Sequence, residues 1–158
     1  MIKQINISLE EHSIEQLQKL KEKIYNDLDI KFVNVKLKLL NKKLKNSFKK
    51  NDLFVSAKTL YELMQPTGDR GTHNYHGLTP NEIYRAIKNL NESKYLFKSL
   101  DNRYILVTLE IAECGDQIIA IVDTEAPLHL NDDAKINKLV TIYPKRNCEN
   151  FIKRHLKS

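Results

Sequence analysis

Residues 71–87 read GTHNYHGLTPNEIYRAI, a polar loop that leads into a helix start. Thr79 is the predicted N-cap, Pro80 follows where a missing N–H costs nothing, and Glu82 completes the spacing of a capping box. Apolar residues then recur on one helical face, which predicts a helix docked on a core: Ile83, Ala86 and Ile87.

His76 stands just before this helix. An imidazole titrates near neutral pH, and helix N-termini favour anions such as phosphate, so His76 is a candidate general base or acid. A solvated or hydrogen-bonded turn histidine is the other interpretation, and it is the more frequent one for a lone loop histidine. His73 and His76 have no neighbouring Cys, Asp or Glu pattern that would complete a metal site, so no metal is predicted.

The composition describes a soluble globular protein. The 158 residues are 41% hydrophobic and 29% charged, which suits one domain, with room for an N-terminal extension. Every apolar run is too short to cross a bilayer and the first residues lack a signal-peptide core, so the chain as written is expected in the cytoplasm without membrane contact. Cys114 and Cys148 are predicted to be free thiols.

Charge is unevenly distributed along the chain. The net charge is +6, residues 31–50 contain eight lysines and no acid, and residues 105–133 contain seven acids and no Lys or Arg. A solvated surface explains a charge excess by itself, but this segregation indicates a basic face against an acidic one and a polyanionic partner.

Hydrophobic periodicity predicts the secondary-structure elements of the first 50 residues. Residues 8–28 are predicted to be an amphipathic helix with a capping box at Ser8 and Glu11. Residues 31–39 alternate as a strand, with a basic amphipathic helix through Leu44 and Phe48 as the alternative. The helix stripe of residues 8–28 comprises Ile14, Leu17, Leu20, Ile24 and Leu28.

The second half of the chain is predicted to consist mainly of strands. Residues 52–55 are predicted to be extended, followed by a short helix capped by Ser56. Four strand candidates with short connections then favour an antiparallel meander, and a closing helix follows: residues 94–100, 103–111, 117–124, 135–143 and 148–156. This order predicts an α+β fold with N-terminal helices packed on a four-stranded antiparallel sheet.

The last strand carries paired hydroxyls. Strict alternation puts Asn137, Leu139, Thr141 and Tyr143 on one face, directly before Lys145 and Arg146. An ordinary solvent face would have the same pattern. Arg103, which opens the second strand candidate, suits bidentate phosphate binding but is equally typical of a surface position. Lys58, in the first turn of the Ser56 helix, is open to the same two interpretations.

These motifs together resemble one family. SAKTL at 56–60, HGLTPNEI at 76–83, NRYILV at 102–107 and INKLVTIYPKRN at 136–147 are similar, in order and spacing, to the phage-associated barnase/EndoU/colicin/RelE-like nuclease domains, abbreviated PBECR. The resemblance covers roughly residues 52–152 and implies a toxin-like ribonuclease domain at 52–158 after an N-terminal helical, basic extension at 1–51.

The resemblance also implies the site residues, with the active site on the sheet face. His76, Arg103, Thr141, Tyr143 and Lys145 match as catalytic residues. Lys58 and Arg146 would bind RNA, no cofactor is needed, and no glutamate matches the base of barnase, so the assignment of acid and base stays open.

The implied activity is metal-independent RNA cleavage, in which the ribose 2′-OH attacks the adjacent phosphate to give a cyclic phosphate and a 5′-OH end. The expected partners are RNA, with tRNA among the candidates, and an acidic antitoxin or immunity protein. Delivery into a target cell is compatible with such a toxin. The alternative is a non-catalytic RNA-, DNA- or partner-binding protein with a degenerate toxin fold.

Overall fold

A computed structural model describes residues 3–10, 13–33, 35, 37, 39–40, 42, 52–67, 74–127 and 135–157. Glu11, His73, Leu44 and Phe48 of the sequence analysis lie outside this set. The elements are β1 (Lys3–Ser8), α1 (Ser13–Glu22), β2 (Leu28–Val33), β3 (Leu53–Ser56), α2 (Ala57–Leu63), α3 (Pro80–Lys88), a 3₁₀ helix (Asn89–Glu92), β4 (Tyr95–Lys98), β5 (Arg103–Ile111), β6 (Gln117–Pro127), β7 (Lys135–Lys145) and α4 (Cys148–Leu156).

Two helix starts follow directly from the sequence. The Thr79 hydroxyl accepts the Glu82 N–H at 3.1 Å, and the Glu82 carboxylate accepts the Thr79 N–H at 2.9 Å, which completes the predicted capping box. Ser56 caps α2 through the Thr59 N–H at 3.1 Å. These local signals confirm the predicted starts of α2 and α3.

The strands form one seven-stranded mixed sheet in the order β1-β2-β3-β7-β6-β5-β4. The predicted strands are present as β4 to β7 and pair antiparallel. The prediction of a four-stranded antiparallel sheet is nevertheless wrong, because β3 pairs with β7 in parallel and extends the sheet through β2 to β1. The structure is an α+β fold with this larger sheet.

The N-terminal helix is shorter than predicted. Of the predicted residues 8–28, α1 keeps only residues 13–22, and the terminal residues Ser8 and Leu28 belong instead to the parallel strands β1 and β2. Ile24, expected on the helix stripe, is 42% exposed. The predicted strand at 31–39 is likewise displaced, since β2 ends at Val33. Pairing with β3 stabilises β2 over the helical alternative, which local periodicity cannot anticipate.

The sheet has two different faces. The inner face packs against α1, α2 and α3 in the main core, where Leu17 and Leu20 of α1 join Ile30 of β2 and Leu106 of β5. The outer face carries a smaller cluster under α4. The N-terminal segment therefore shares the sheet and the core with the rest of the chain, while the boundary at residues 51 and 52 stays a prediction.

A β-bulge interrupts β7. Thr141 pairs with Ile121, yet Leu139 pairs with the next residue of β6, Val122, so Val140 is the extra residue. The predicted common face of Leu139 and Thr141 is therefore wrong: Leu139 is fully buried in the inner core, while Thr141 lies on the outer face. Thr141 and Tyr143 do share a face.

Two further observations concern the described part of the chain. None of its helices is long and apolar enough to cross a membrane. Both cysteines are free, Cys114 exposed and Cys148 buried, as predicted.

Candidate functional site

The loop before α3 fixes His76 in place. The Gly77 N–H donates to the Gln65 carbonyl at 2.7 Å and the Leu78 N–H donates to the Leu63 carbonyl at 3.0 Å, which ties the loop to the end of α2. Gly77 has a φ of +64°, a conformation that side chains disfavour. With Leu78 buried and Thr79 capping α3, His76 has little freedom to move away from the sheet.

His76 stacks on Tyr143 of β7. Their ring centroids are 5.3 Å apart with an interplanar angle of 30°. The two residues come from segments far apart in the chain, and their contact places them on the same side of the sheet. A site that uses His76 together with Tyr143 requires this proximity.

Burial shifts the two pKa values in opposite directions. It lowers the pKa of the His76 imidazole below its ordinary value and raises the pKa of the Tyr143 phenol, which the neighbouring Cys148 raises further. Near neutral pH, His76 is therefore a neutral ring able to accept a proton, and Tyr143 is a phenol able to donate one. The raised pKa argues against Tyr143 as the base.

Thr141 contributes a buried hydroxyl two residues before Tyr143. It is only 8% exposed, and its Oγ1 has no hydrogen-bond partner among the described residues. Thr141 therefore does not lie on an ordinary solvent face, which is the alternative interpretation of the alternation in this strand. An unsatisfied buried hydroxyl costs about 1–3 kcal/mol. Because the Thr141 Oγ1 atom is itself buried, a phosphate oxygen could accept from it and remove that cost only after neighbouring side chains move aside.

β3 ends before it reaches the part of β7 that carries the candidate site. Among the described residues, β3 pairs with β7 only at Phe54 and Lys138. The chain then turns into α2 after Ser56, whereas β7 continues to Lys145. Thr141 and the residues after it consequently lie beyond the end of β3, next to the His76 loop.

The remaining predicted residues lie at different distances from this centre. Lys145 is half-buried on the outer face, with its Nζ 5.3 Å from the Phe151 ring centroid, and it offsets part of the effect of burial on the pKa of Cys148. Arg146 is exposed in the turn before α4, and Lys58 is exposed in the first turn of α2.

Arg103 lies away from His76, Thr141 and Tyr143. It lies on β5, two strands from β7, which at about 4.8 Å per strand spacing separates its backbone from that of Thr141 by about 10 Å or more. Its guanidinium is 3.9 Å from Asp123, directly opposite on β6. This position does not suit contact with the same phosphate that meets Thr141.

Glu82 has a second contact that the sequence does not reveal. Its Oε1 closes the capping box, and its Oε2 accepts the Glu113 N–H at 2.9 Å. The carboxylate is 2% exposed and joins the start of α3 to the turn between β5 and β6. It therefore helps to hold the His76 loop against the sheet.

Comparison with known proteins identifies no relative: no family model, no curated protein and no solved structure matches this chain. The chemistry of the site is therefore inferred from its own groups. A proton acceptor, a proton donor and an unpaired hydroxyl converge at one end of β7, with Lys145 on the same face. Such a set can bind a phosphate group and transfer protons at its oxygens.

Proposed function

We propose that this protein is a ribonuclease that cleaves RNA by transesterification at His76, Tyr143 and Thr141. The observation that carries the proposal is the stacked pair of His76 and Tyr143, whose burial favours opposite protonation roles. The resemblance of four sequence segments to the PBECR nuclease domains points to the same chemistry.

In the proposed reaction, neutral His76 accepts the proton of the ribose 2′-OH, whose oxygen forms a bond to phosphorus. The bond from phosphorus to O5′ breaks, and Tyr143 donates a proton to that oxygen. Thr141 donates its unpaired hydrogen bond to a non-bridging phosphate oxygen, and Lys145 offsets the charge that develops there. The products are a 2′,3′-cyclic phosphate and a 5′-OH end.

Cleavage of total RNA in EDTA tests the proposal. We expect wild-type protein to produce cyclic phosphate ends, and His76→Ala and Tyr143→Phe to lower the rate about a hundredfold or more. Tyr95→Phe is the matched control, because Tyr95 occupies the same cross-strand row as Tyr143 on the same face. Binding of RNA without any cleavage by wild-type protein would instead favour the non-catalytic alternative.

The pH dependence of cleavage tests the two roles separately. A base with a lowered pKa keeps its activity further into the acid range, so kcat/KM should fall only below the ordinary histidine pKa. An acid with a raised pKa should remain protonated until pH exceeds the ordinary tyrosine pKa. A rate that already falls between these limits would contradict the assignment.

A partner that neutralises the toxin is part of the proposal. The lysine-rich sequence of residues 31–50 favours an acidic partner, since complementary charges speed capture. Lys145 and Arg146 near the site favour a partner that covers the outer face. We expect an acidic protein from a neighbouring gene, when co-expressed, to co-purify with this protein and to relieve the growth arrest that its overexpression causes. Harmless overexpression of an active nuclease without any partner would contradict this part.

A further inference from the structure

The outer face of the sheet carries one continuous row of side chains. Cross-strand pairing aligns six residues on six adjacent strands, and the row comprises Asn6, Lys31, Phe54, Lys138, Asp123 and Arg103. Phe54 is the aromatic member, and a lysine is its direct partner on each side. The row crosses from β1 to β5 on the face that also bears Thr141.

Phe54 faces outward because its two neighbours in β3 face the inner core. In β3, Leu53 and Val55 are fully buried in the inner core, while Phe54 is half-buried on the opposite face. The Lys31 Nζ is 5.7 Å from its ring centroid and 3.3 Å from the Asp52 carboxylate. A ring with one ammonium group beside it and a second lysine opposite it in register favours base stacking together with phosphate binding.

In the described part of the chain, the apolar cluster under α4 does not extend to the half of the outer face around Phe54. The cluster under α4 draws its strand residues from β4 to β7 and, among the described residues, includes none from β1 to β3. Asn6 and Lys138 are exposed, and Phe54, Ser56 and Lys138 line a small cleft at the junction of β3 and β7. We call the outer-face positions Asn6, Lys31, Phe54 and Lys138 the open row.

The open row adjoins the candidate site. Phe54 is paired with Lys138, and Thr141 follows three residues later on the same strand and face, beyond the bulge. A chain whose scissile phosphate meets Thr141 therefore has its neighbouring nucleotide over Lys138 and Phe54. Duplex RNA cannot expose a base in this way, whereas an unpaired strand can.

We infer that the open row is a base-stacking subsite for single-stranded RNA, in which Phe54 stacks one unpaired base and Lys31 and Lys138 hold the flanking phosphates. This inference rests on the proposed function in taking RNA as the ligand. It adds the site and the substrate class: a single strand that extends over β3 and β2 beside the scissile phosphate.

The test measures binding without cleavage. A fluorescently labelled single-stranded 2′-O-methyl RNA oligonucleotide cannot cyclise, so its fluorescence anisotropy reports affinity alone. We expect Phe54→Ala to weaken binding by a factor of roughly five to a hundred. Phe54→Tyr should retain the wild-type affinity, and Phe54→Leu should lose it, because leucine keeps apolar bulk but has no flat ring.

Tyr25→Ala is the matched control, since Tyr25 is also half-buried beneath a lysine, with the Lys23 Nζ 5.3 Å from its ring centroid. It should leave affinity unchanged. Thermal unfolding of each variant verifies that the fold is intact. Wild-type affinity in both Phe54→Ala and Phe54→Leu, or equal loss of duplex RNA binding in Phe54→Ala, would overturn the inference.

The outcomes separate this inference from the proposed function. If wild-type protein binds the oligonucleotide through Phe54 but does not cleave RNA, the stacking subsite stands and the nuclease proposal fails. If wild-type protein cleaves RNA in a His76-dependent manner and Phe54→Ala binds normally, the nuclease proposal stands and the subsite fails.

Discussion

The two halves of the outer sheet face carry similar residues but differ in what covers them. Over β4 to β7, Phe97 lies beneath Phe151 of α4, with ring centroids 6.0 Å apart. Over β1 to β3, Phe54 lies between two lysines without a described helix above it. A phenylalanine faces outward in both, so residue type alone does not distinguish a packed surface from an accessible one.

The difference follows from where α4 begins. The chain turns after Lys145, with Asn147 in the left-handed conformation at a φ of 54°, and α4 returns over β7, β6, β5 and β4. Its apolar residues, Phe151 among them, cover that half. The end of β7 therefore lies between the surface packed under α4 and one that no described helix covers, and Thr141 and Tyr143 are located at this boundary.

The largest expected effect is a difference in stability between variants of the two halves of the outer face. Phe151 is 7% exposed, so Phe151→Ala should lower the free energy of unfolding by about 3 kcal/mol, as for a buried aromatic residue. Phe54→Ala, at a half-buried position, should cost about 1 kcal/mol. Urea denaturation with equal m-values for both variants measures this, and equal losses would contradict the distinction.

The second effect concerns Thr141, where a substitution should change stability and RNA cleavage in opposite directions. Thr141→Val removes an unpaired buried hydroxyl, so stability should rise by about 1 kcal/mol while RNA cleavage falls by about ten- to a hundredfold. Thr108→Val is the control, since the Thr108 hydroxyl donates to the Ile118 carbonyl at 2.7 Å. That variant should lose stability, and a Thr141→Val protein that loses stability equally would contradict the interpretation.

The smallest expected effect is a change in the salt dependence of RNA binding. If Lys138 holds a phosphate of a single strand, Lys138→Gln should make the slope of log affinity against log salt shallower by about 0.7. Lys19→Gln, an exposed lysine of α1 on the inner-face side, should leave the slope unchanged. Titrations of the 2′-O-methyl oligonucleotide at several salt concentrations measure both slopes, and identical shifts would indicate only general charge attraction.

Local signals in the sequence determined much of the fold. The capping box of Thr79 and Glu82 and the cap at Ser56 depend on residues three apart, so the starts of α3 and α2 are predictable. Alternation predicted the existence of β4 to β7, and helical spacing predicted α4. The position of His76 beside a helix start makes it a candidate acid or base, whereas Thr141 and Tyr143 become site candidates through the resemblance to the nuclease domains.

Only the tertiary structure decided how those parts combine. Ser8 and Leu28, the ends of the predicted helix, belong instead to β1 and β2 because these strands pair with each other and β2 pairs with β3, and long-range pairing outweighs helical periodicity there. The bulge at Val140 reversed the face of Leu139, and the sheet order kept Arg103 two strands from Thr141. The stack of His76 on Tyr143 and the two lysines beside Phe54 arise from pairing between distant segments, which no local pattern encodes.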